Sequence, residues 1–179
     1  MLSRLRTARL YLEPLGIDDL EPVHAVWCEA GVRRYLWDDQ LIDRDRAAAP
    51  LRASERDFRE HGFGLWGLYR PTSHVLLGFC GLRLADLFPG PELLFGLGDV
   101  YSGQGLATEA ATGVLRYAFE GLGCAVIGAA TDAANSRSSR VLGRLGMRLL
   151  RRADHQGLAT LFYGISGSEW NRGDFMPGE

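Results

Sequence analysis

Residues 100–110 read VYSGQGLATEA, and this stretch decides how the rest of the chain is interpreted. Gly103 and Gly105 bracket one polar residue, and an apolar run at 93–97, short enough for a strand, comes before them. A helix pattern begins immediately afterwards, with small or apolar residues at steps of three and four: Ala107, Ala110, Ala111, Val114 and Ala118. A strand, a glycine loop and a helix N-terminus together expose unpaired N–H groups, and the helix dipole favours negative charge there. The stretch therefore predicts a pyrophosphate-binding loop.

The overall composition is that of one globular domain covering residues 1–179. The chain is long enough to bury a core, and its 46% hydrophobic content is ordinary for a globular protein. The 20 Lys and Arg residues against 22 Asp and Glu give a net charge of −2, which disfavours nucleic acid as a partner. No apolar run approaches the roughly 20 residues of a membrane span, so no membrane partner is expected.

Cysteine and histidine usage predicts neither a disulfide framework nor a metal site. The three cysteines lie far apart without a CxxC pair, and the four histidines show no ligand spacing. Residues 1–15 lack the continuous apolar segment of a signal peptide. We therefore expect a reduced, cytoplasmic location.

The rest of the chain divides into strand and helix patterns. Strands are predicted at 5–13, 63–69, 75–84, 92–97, 124–130, 147–152 and 159–165. Helices are predicted from Asp18 or Asp19 to about Ala30, up to about His61, from Gln104 to Gly121, and from the cap Asn135 to Gly146. Residues 33–50 are charged and predicted to be irregular, and the tail at 171–179 is predicted to be frayed.

This order of elements predicts an α/β (α+β) fold. Antiparallel strands come first and βαβ crossovers come later, which gives a mixed, mostly antiparallel central sheet with helices on both faces. A Rossmann dinucleotide-binding domain is the rival interpretation of the glycine loop. Its G-x-G-x-x-G spacing fails, because Thr108 stands at the third glycine.

Three stretches resemble motifs of the GNAT superfamily of acyl-CoA N-acyltransferases, in the branch that includes RimJ and RimL. Residues 7–15, TARLYLEPL, resemble the opening T-x-R-L-x-L-R-P-L of that branch. Residues 103–110, GQGLATEA, are similar to its acyl-CoA loop G-K-G-Y-A-T-E-A. Residues 135–147, NSRSSRVLGRLGM, are similar to its N-x-x-S-x-x-V-L-x-x-x-G-F. The resemblance covers about residues 5–165 and implies an acetyl-CoA-dependent N-acetyltransferase.

The resemblance also implies where acetyl-CoA, as co-substrate and without a metal, would bind. The strands at 92–98 and 124–130 would splay to admit it. Leu97 and Asp99 would bind the pantetheine arm through their backbone as an extra strand, and Asn135 would contact the same arm. Ser138 would lie near the CoA sulfur. The pyrophosphate would lie on backbone N–H groups of the glycine loop and first helical turn, in the set Gly103, Gln104, Gly105, Leu106, Ala107 and Thr108.

The sequence departs from the family pattern at three positions. Ser102 stands where the wider superfamily often has Arg or Gln and where this branch usually has an aromatic residue. Leu142 occupies the position of the superfamily's acid tyrosine, so the tyrosine mechanism is unavailable there. Met147 replaces the usual Phe.

Direct acetyl transfer needs a neutral amine, a donor to the developing oxyanion and a proton for the departing thiolate. Glu92, near the start of the splayed strand, is the candidate base; the alternative is a strand-edge carboxylate in water. Ser138 is the candidate donor to the thiolate; the alternative is a plain helix-start residue. No cysteine has an activating partner visible in the sequence, which predicts transfer without an acetyl-enzyme.

The acceptor is a primary amine, either a protein N-terminal α-amine or a small-molecule amine. An α-amino group is favoured, because its pKa of about 7.7 to 8.0 leaves far more of it neutral at pH 7 than the lysine value of about 10.4. Residues 33–46 are predicted to form one wall of the acceptor site, or else a solvated loop. Monomer and homodimer both stay open. The alternative function is a catalytically silent CoA-binding sensor or scaffold with the same fold.

Overall fold

The sheet organises the computed structural model, which describes residues 3–171. Its strands are β1 (Leu5–Arg6), β2 (Tyr11–Pro14), β3 (Leu65–Tyr69), β4 (Gly78–Arg83), β5 (Glu92–Leu97), β6 (Val126–Asp132), β7 (Arg148–His155) and β8 (Leu158–Ser166). They lie in the order β1-β2-β3-β4-β5-β6-β8-β7. Within the described residues, β5 and β6 pair in parallel and every other neighbouring pair is antiparallel. The predicted mixed, mostly antiparallel sheet is confirmed.

Helices cover both faces of this sheet, as predicted. They are α1 (Leu20–Trp27), α2 (Ala30–Leu36), α3 (Arg44–His61), α4 (Leu106–Arg116), α5 (Ser136–Arg144) and α6 (Gly167–Asn171). The first three pack on the face that carries Leu65 and Phe79. Helices α4 and α5 pack on the opposite face, which carries Cys80 and Ile127. Alternate residues of the central strands therefore contribute to two separate cores.

The predicted strand at 5–13 is two short strands joined by a turn. β1 pairs antiparallel with β2, and the Thr7 N–H donates to the Leu10 carbonyl at 2.9 Å across the turn. Leu10 and Leu12 are completely buried, as their alternation predicted. The turn places Thr7, Ala8 and Arg9 outside the sheet, where they meet α4.

The prediction that residues 33–50 are irregular is wrong at both ends of this range. α2 extends to Leu36, and α3 begins at Arg44 with the Asp43 carboxylate accepting a hydrogen bond from the Arg46 N–H. The buried face of α3 recurs at helical spacing: Ala47, Ala48, Leu51, Ser54 and Phe58. Pro50 lies inside this helix, where the packing of that face outweighs the missing N–H donor.

Of the two later helices, α4 ends before its predicted end and α5 ends close to its predicted end. α4 ends at Arg116, and a π-helical turn at Tyr117–Gly121 carries the chain to the predicted stop. For α5, the Asn135 side chain caps the first turn and Gly146 follows with a φ of 74°. Of the tail predicted to be frayed at 171–179, Asn171 ends α6 and residues 172–179 lie outside the described residues. That all of 1–179 forms one domain stays a prediction. No helix within residues 3–171 is long and apolar enough to cross a membrane.

The sheet opens between its two parallel strands. β5 and β6 pair at Glu92 and Gly128, where the Gly128 N–H donates to the Pro91 carbonyl at 3.0 Å. Beyond that point no further pair joins the two described strands, up to Leu97 and Asp132. The predicted splay is present, and its open end lies beside the glycine loop that follows β5.

Candidate active site

The glycine loop forms an open helix N-terminus. Gly103 and Gly105 have φ values of 79° and 76°, which favour glycine. Gly105 is the N-cap of α4, and no side chain of the described residues caps that helix. The Glu109 N–H bonds back to the Gly105 carbonyl at 3.1 Å, so the N–H groups of residues 106–108 have no partner within the helix. These are the donors predicted for a pyrophosphate.

Thr108 adds an unpaired hydroxyl to the same helix end. Its Oγ1 is buried and has no hydrogen-bond partner among the described residues. A buried hydroxyl without a partner is costly unless a ligand or water satisfies it. Uncapped amides, a close-approach glycine and this hydroxyl fit the anionic diphosphate of CoA.

A cluster of Thr7, Arg9 and Glu109 braces the loop from outside. Glu109 accepts hydrogen bonds from the Thr7 hydroxyl at 2.6 Å, the Arg9 N–H at 2.7 Å and the Arg9 Nε at 2.6 Å. Arg9 Nη1 also donates to the Gln104 carbonyl at 3.1 Å. Burial alone would raise the pKa of the Glu109 carboxyl, but the hydrogen bonds from Thr7 and Arg9 hold it below its ordinary value. Two of the three motifs in the sequence thus meet in space.

Cations line the approach to this loop. Arg70 Nη2 donates to the Gln104 Oε1 at 3.3 Å. A groove of about 1300 Å³ runs from Gly105 along the outer face of α4, and its arginines are Arg4, Arg6, Arg9, Arg116 and Arg144, against the acids Glu109 and Glu120. The excess of positive charge favours an anionic ligand near the loop.

The backbone of β5 offers free hydrogen-bonding groups to the splay. Leu97 pairs with Gly78, while the Gly98 N–H donates to the Leu77 carbonyl at 2.9 Å. In an antiparallel ladder this pattern turns the N–H and carbonyl of Leu97 away from β4, and therefore towards the gap between β5 and β6. The same alternation applies to Phe95. Leu97 is thus placed as predicted for binding an extended ligand through its backbone.

Asp99 differs from Leu97, because its backbone donor already has a partner. The Asp99 N–H donates to the Glu29 Oε2 at 2.6 Å, and the Asp99 Oδ2 accepts from the Gly31 N–H at 3.3 Å. Glu29 directly precedes α2. The Asp99 N–H, which was predicted to bind the pantetheine arm, is therefore already hydrogen-bonded to the residue that precedes α2.

Glu92 lies at the closed end of the splay. It is 3% exposed, and its Oε2 accepts a hydrogen bond from Arg83 Nε at 2.7 Å across the β4–β5 pair. The alternative interpretation of Glu92 as a strand-edge carboxylate in water is therefore wrong. The bond to Arg83 occupies Oε2 of the carboxylate, and Oε1 has no hydrogen bond to a described residue.

Asn135 and Ser138 lie together at the start of α5. Asn135 is 8% exposed and its Oδ1 accepts from the Ser138 N–H at 3.1 Å, so only its amide NH₂ stays available to a ligand. The Ser138 hydroxyl makes no hydrogen bond to any residue that the structure describes. Both residues follow β6 at the open end of the splay, which fits the predicted contacts to the pantetheine arm and the sulfur.

The predicted acceptor wall at 33–46 is half helix and half loop. Arg46 lies over the Trp37 ring at 5.3 Å, and Trp37 packs against Trp27 with ring centroids 5.5 Å apart. At the end of β6, Asp132 faces Asp38 of this wall. Burial, and then the Asp38 charge, raise the pKa of Asp132. The sequence analysis missed Asp132, although it lies three residues before the predicted Asn135.

The cysteines differ in their surroundings. Burial raises the pKa of the Cys80 thiol strongly and that of Cys124 in the same direction. Cys28 Sγ lies 3.5 Å from His24 Nε2, a contact between residues four apart on one helix that the sequence analysis missed. The same Nε2 lies 2.8 Å from the Ile42 carbonyl, so this nitrogen carries the proton and is not free to act as a base.

Among residues 3–171, no group of three or more His, Cys, Asp or Glu side chains could hold a metal ion.

A comparison with models of protein families identifies the family of this chain. The family model described as "Acetyltransferase (GNAT) domain" matches residues 9–148, which include the braced glycine loop, the splay and α5. The chain belongs to the GNAT acetyltransferase family. The resemblance to the RimJ/RimL-like branch is confirmed, and this GNAT acetyltransferase is an enzyme of the N-acetyltransferase class.

Similar proteins agree with this assignment. The chain is 26% identical over 149 residues to the uncharacterised N-acetyltransferase YoaA of Bacillus subtilis strain 168, which covers 83% of this chain and 84% of YoaA. A solved structure described as a GnaT-family acetyltransferase from Bordetella pertussis superposes with a TM-score of 0.79 and 25% identity, over 92% of this chain and 99% of that one. RimL, a ribosomal L7/L12 α-N-protein acetyltransferase solved with CoA, shares the fold with a TM-score of 0.75 and 12% identity, over 92% of this chain and 98% of that one.

Proposed function

We propose that this GNAT acetyltransferase moves an acetyl group from acetyl-CoA directly to a primary amine. One observation carries the proposal. The uncapped N-terminus of α4, braced by Arg9 and Glu109, opens beside a splay whose β5 edge presents unpaired backbone groups. An anionic diphosphate and an extended amide-containing arm are the two halves of CoA, and the two features lie next to each other along the chain.

The binding mode follows from these groups. The N–H groups of residues 106–108 and the Thr108 hydroxyl take the diphosphate, where the helix dipole adds to the attraction. The pantetheine arm lies along β5 as an added strand and bonds the backbone of Leu97. The amide of Asn135 contacts the arm from the β6 side. RimL, which shares the fold, was solved with CoA, in keeping with this mode.

The chemistry then needs few groups of the protein. The amine nitrogen attacks the thioester carbon, the carbon–sulfur bond breaks, and the amine loses a proton. The Ser138 hydroxyl donates to the departing sulfur, because no described residue already bonds it and it lies at the open end of the splay. Glu92 accepts the amine proton. Since Glu92 is buried beside Arg83, the proton reaches it through water, and much of the rate comes from placing the reactants together.

The acceptor is a protein or peptide N-terminal α-amine. An α-amino group is already partly neutral at pH 7, since its pKa lies about 2.5 units below that of lysine, so it needs less deprotonation by the enzyme. The name of RimL describes an α-N-protein acetyltransferase, which supports the same choice. A small-molecule amine is the second candidate acceptor. We propose a cytoplasmic location.

Two peptides of one sequence test the acceptor. One carries a free N-terminus and blocked lysines, and the other a blocked N-terminus and free lysines. Thiol release from acetyl-CoA is measured with each, and we expect the first peptide to react faster by at least tenfold, given the difference in neutral amine. Faster reaction of the second peptide would overturn the α-amine assignment. No release with any amine would favour the silent CoA-binding alternative.

A further inference from the structure

Glu29 joins the two halves of the active site. Its Oε2 accepts from the Asp99 N–H at 2.6 Å, a length typical of a strong bond to a charged acceptor. In return the Asp99 carboxylate accepts from the Gly31 N–H at 3.3 Å in the first turn of α2. The absence of a side chain at Gly31 permits this approach, since a Cβ there would displace the Asp99 carboxylate. The end of β5 is therefore held to α2 by a reciprocal pair of bonds.

The Asp99 N–H is the donor that an added strand would use next. Leu97 turns its N–H and carbonyl into the gap beside β6. Gly98 continues the ladder with a ψ of 147°, so the next donor on that side is the Asp99 N–H, at the start of a short 3-10 helix at Asp99–Tyr101. An arm that bonds Leu97 and runs on towards the glycine loop passes this position. In this structure the Glu29 carboxylate already occupies it.

We propose that the Glu29 carboxylate and the pantetheine arm of CoA compete for the Asp99 N–H. The inference rests on the proposed function. Seating the arm displaces Glu29 and releases α2 from the end of β5. Because α2 begins the wall that faces the acceptor, this exchange links the binding of the acyl donor to the position of that wall. Glu29 is thus a positioning residue that couples the acyl-donor site to this wall.

The size of the effect follows from the bond that is exchanged. A hydrogen bond to a charged group changes a binding equilibrium by about tenfold or somewhat more. A variant without the Glu29 carboxylate leaves the Asp99 N–H free in advance. It is therefore expected to bind CoA about tenfold more tightly than the wild type.

The experiment compares two ligands that differ only in the arm. Calorimetric affinities are measured for CoA and for 3′-phosphoadenosine 5′-diphosphate, which keeps the diphosphate and lacks only pantetheine, with wild type, Glu29→Ala and Glu29→Gln. The readout is the ratio of the two affinities, because damage to the glycine loop or a change in net charge alters both ligands together. Glu21→Ala is the matched control, since Glu21 pairs with Arg44 on the exposed side of α1 and loses the same charge.

We expect the ratio to rise about tenfold in Glu29→Ala, less in Glu29→Gln, which keeps an uncharged acceptor, and not at all in Glu21→Ala. A ratio that stays constant or falls in Glu29→Ala would overturn the competition and leave Glu29 as a brace. If the wild type binds both ligands but the affinity ratio does not change in Glu29→Ala, the proposed function still stands. A wild type that binds neither ligand contradicts both proposals.

Discussion

The glycine-loop half of this active site and the half predicted to hold the acceptor, here called the acceptor half, are built in opposite ways. Around the loop, Glu109 accepts three short hydrogen bonds from the β1–β2 turn, and these hold its pKa low. Across the splay, Asp132 and Asp38 face each other, and burial and like charge raise the pKa of Asp132. Asp38 and Asp39 also have φ values of 52° and 60°.

This difference indicates which half is preorganised for its ligand. The loop half has its charges paired and only its ligand-facing amides left open, so it is preorganised for a fixed ligand such as CoA. The acceptor half keeps two like charges facing each other and a strained loop. This half is therefore not preorganised in the way that the loop half is.

The largest effect is expected when the loop itself is blocked. Gly105→Val adds a side chain at a φ of 76° beside the Arg9 guanidinium, where the diphosphate must approach. We expect CoA affinity to fall by at least about 100-fold, as measured by calorimetry, because the amides of the first turn become inaccessible. Gly157→Val is the control, since Gly157 has a similar φ of 82° in the open β7–β8 turn. Equal losses in both variants would mean that strain, not the loop, is responsible.

Ser138→Ala tests the open end of the splay. Removal of a donor that acts on the transition state costs about 10²-fold in rate, so kcat should fall by that factor while CoA affinity stays within about twofold. Ser136→Ala, at the exposed first residue of α5, should leave both values unchanged. An unaltered kcat in Ser138→Ala would reduce Ser138 to a helix residue.

Glu109→Gln weakens the brace of the loop half. We expect a loss of about 1 to 2 kcal/mol in the free energy of unfolding at pH 7, since hydrogen bonds to a charged group are lost and the partner Arg9 is half exposed. The folded pKa of Glu109 lies below its unfolded value, so the wild-type advantage is present above the unfolded pKa and is lost as pH falls through the folded one. Urea unfolding at pH 7 and pH 3 measures this; an equal difference at both values would contradict the ionic brace.

Asp132→Asn should act in the opposite direction and by less. The folded pKa of Asp132 is raised, so the ionised wild type loses stability as pH rises from its unfolded pKa through the folded one. We expect the variant to be more stable at pH 7 by under about 1 kcal/mol, with no difference at pH 3. Asp86→Asn, at an exposed residue, is the control in the same melting experiment. A destabilised Asp132→Asn protein at pH 7 would show that Asp132 has a favourable partner.

The sequence predicted the loop half well, because its features are local. A few neighbouring residues are enough to predict each of these features: the glycine loop at Gly103 and Gly105, the helix cap at Asn135 and the strand that contains Glu92. The bond between Arg9 and Glu109 joins residues 100 positions apart, and the sequence analysis did not predict it.

The acceptor half could be predicted only in outline. The charged residues at 33–50 suggested an irregular segment where α3 begins, although Asp43 and the spacing of Ala47, Leu51 and Phe58 carried the helix signal. Which side chains meet across the splay depends on packing between distant elements. The contacts of Glu29 with Asp99 and of Asp38 with Asp132 therefore had no local signal.

Backbone amide signals during a CoA titration test the central claim most directly. In a ¹⁵N-labelled protein, the account predicts that the largest shifts fall on Leu97 and on the first turn of α4, residues 106–108, with little change in α3. Shifts that avoid both the first turn of α4 and Leu97 would contradict the assignment of the glycine loop and the splay as the acetyl-CoA site.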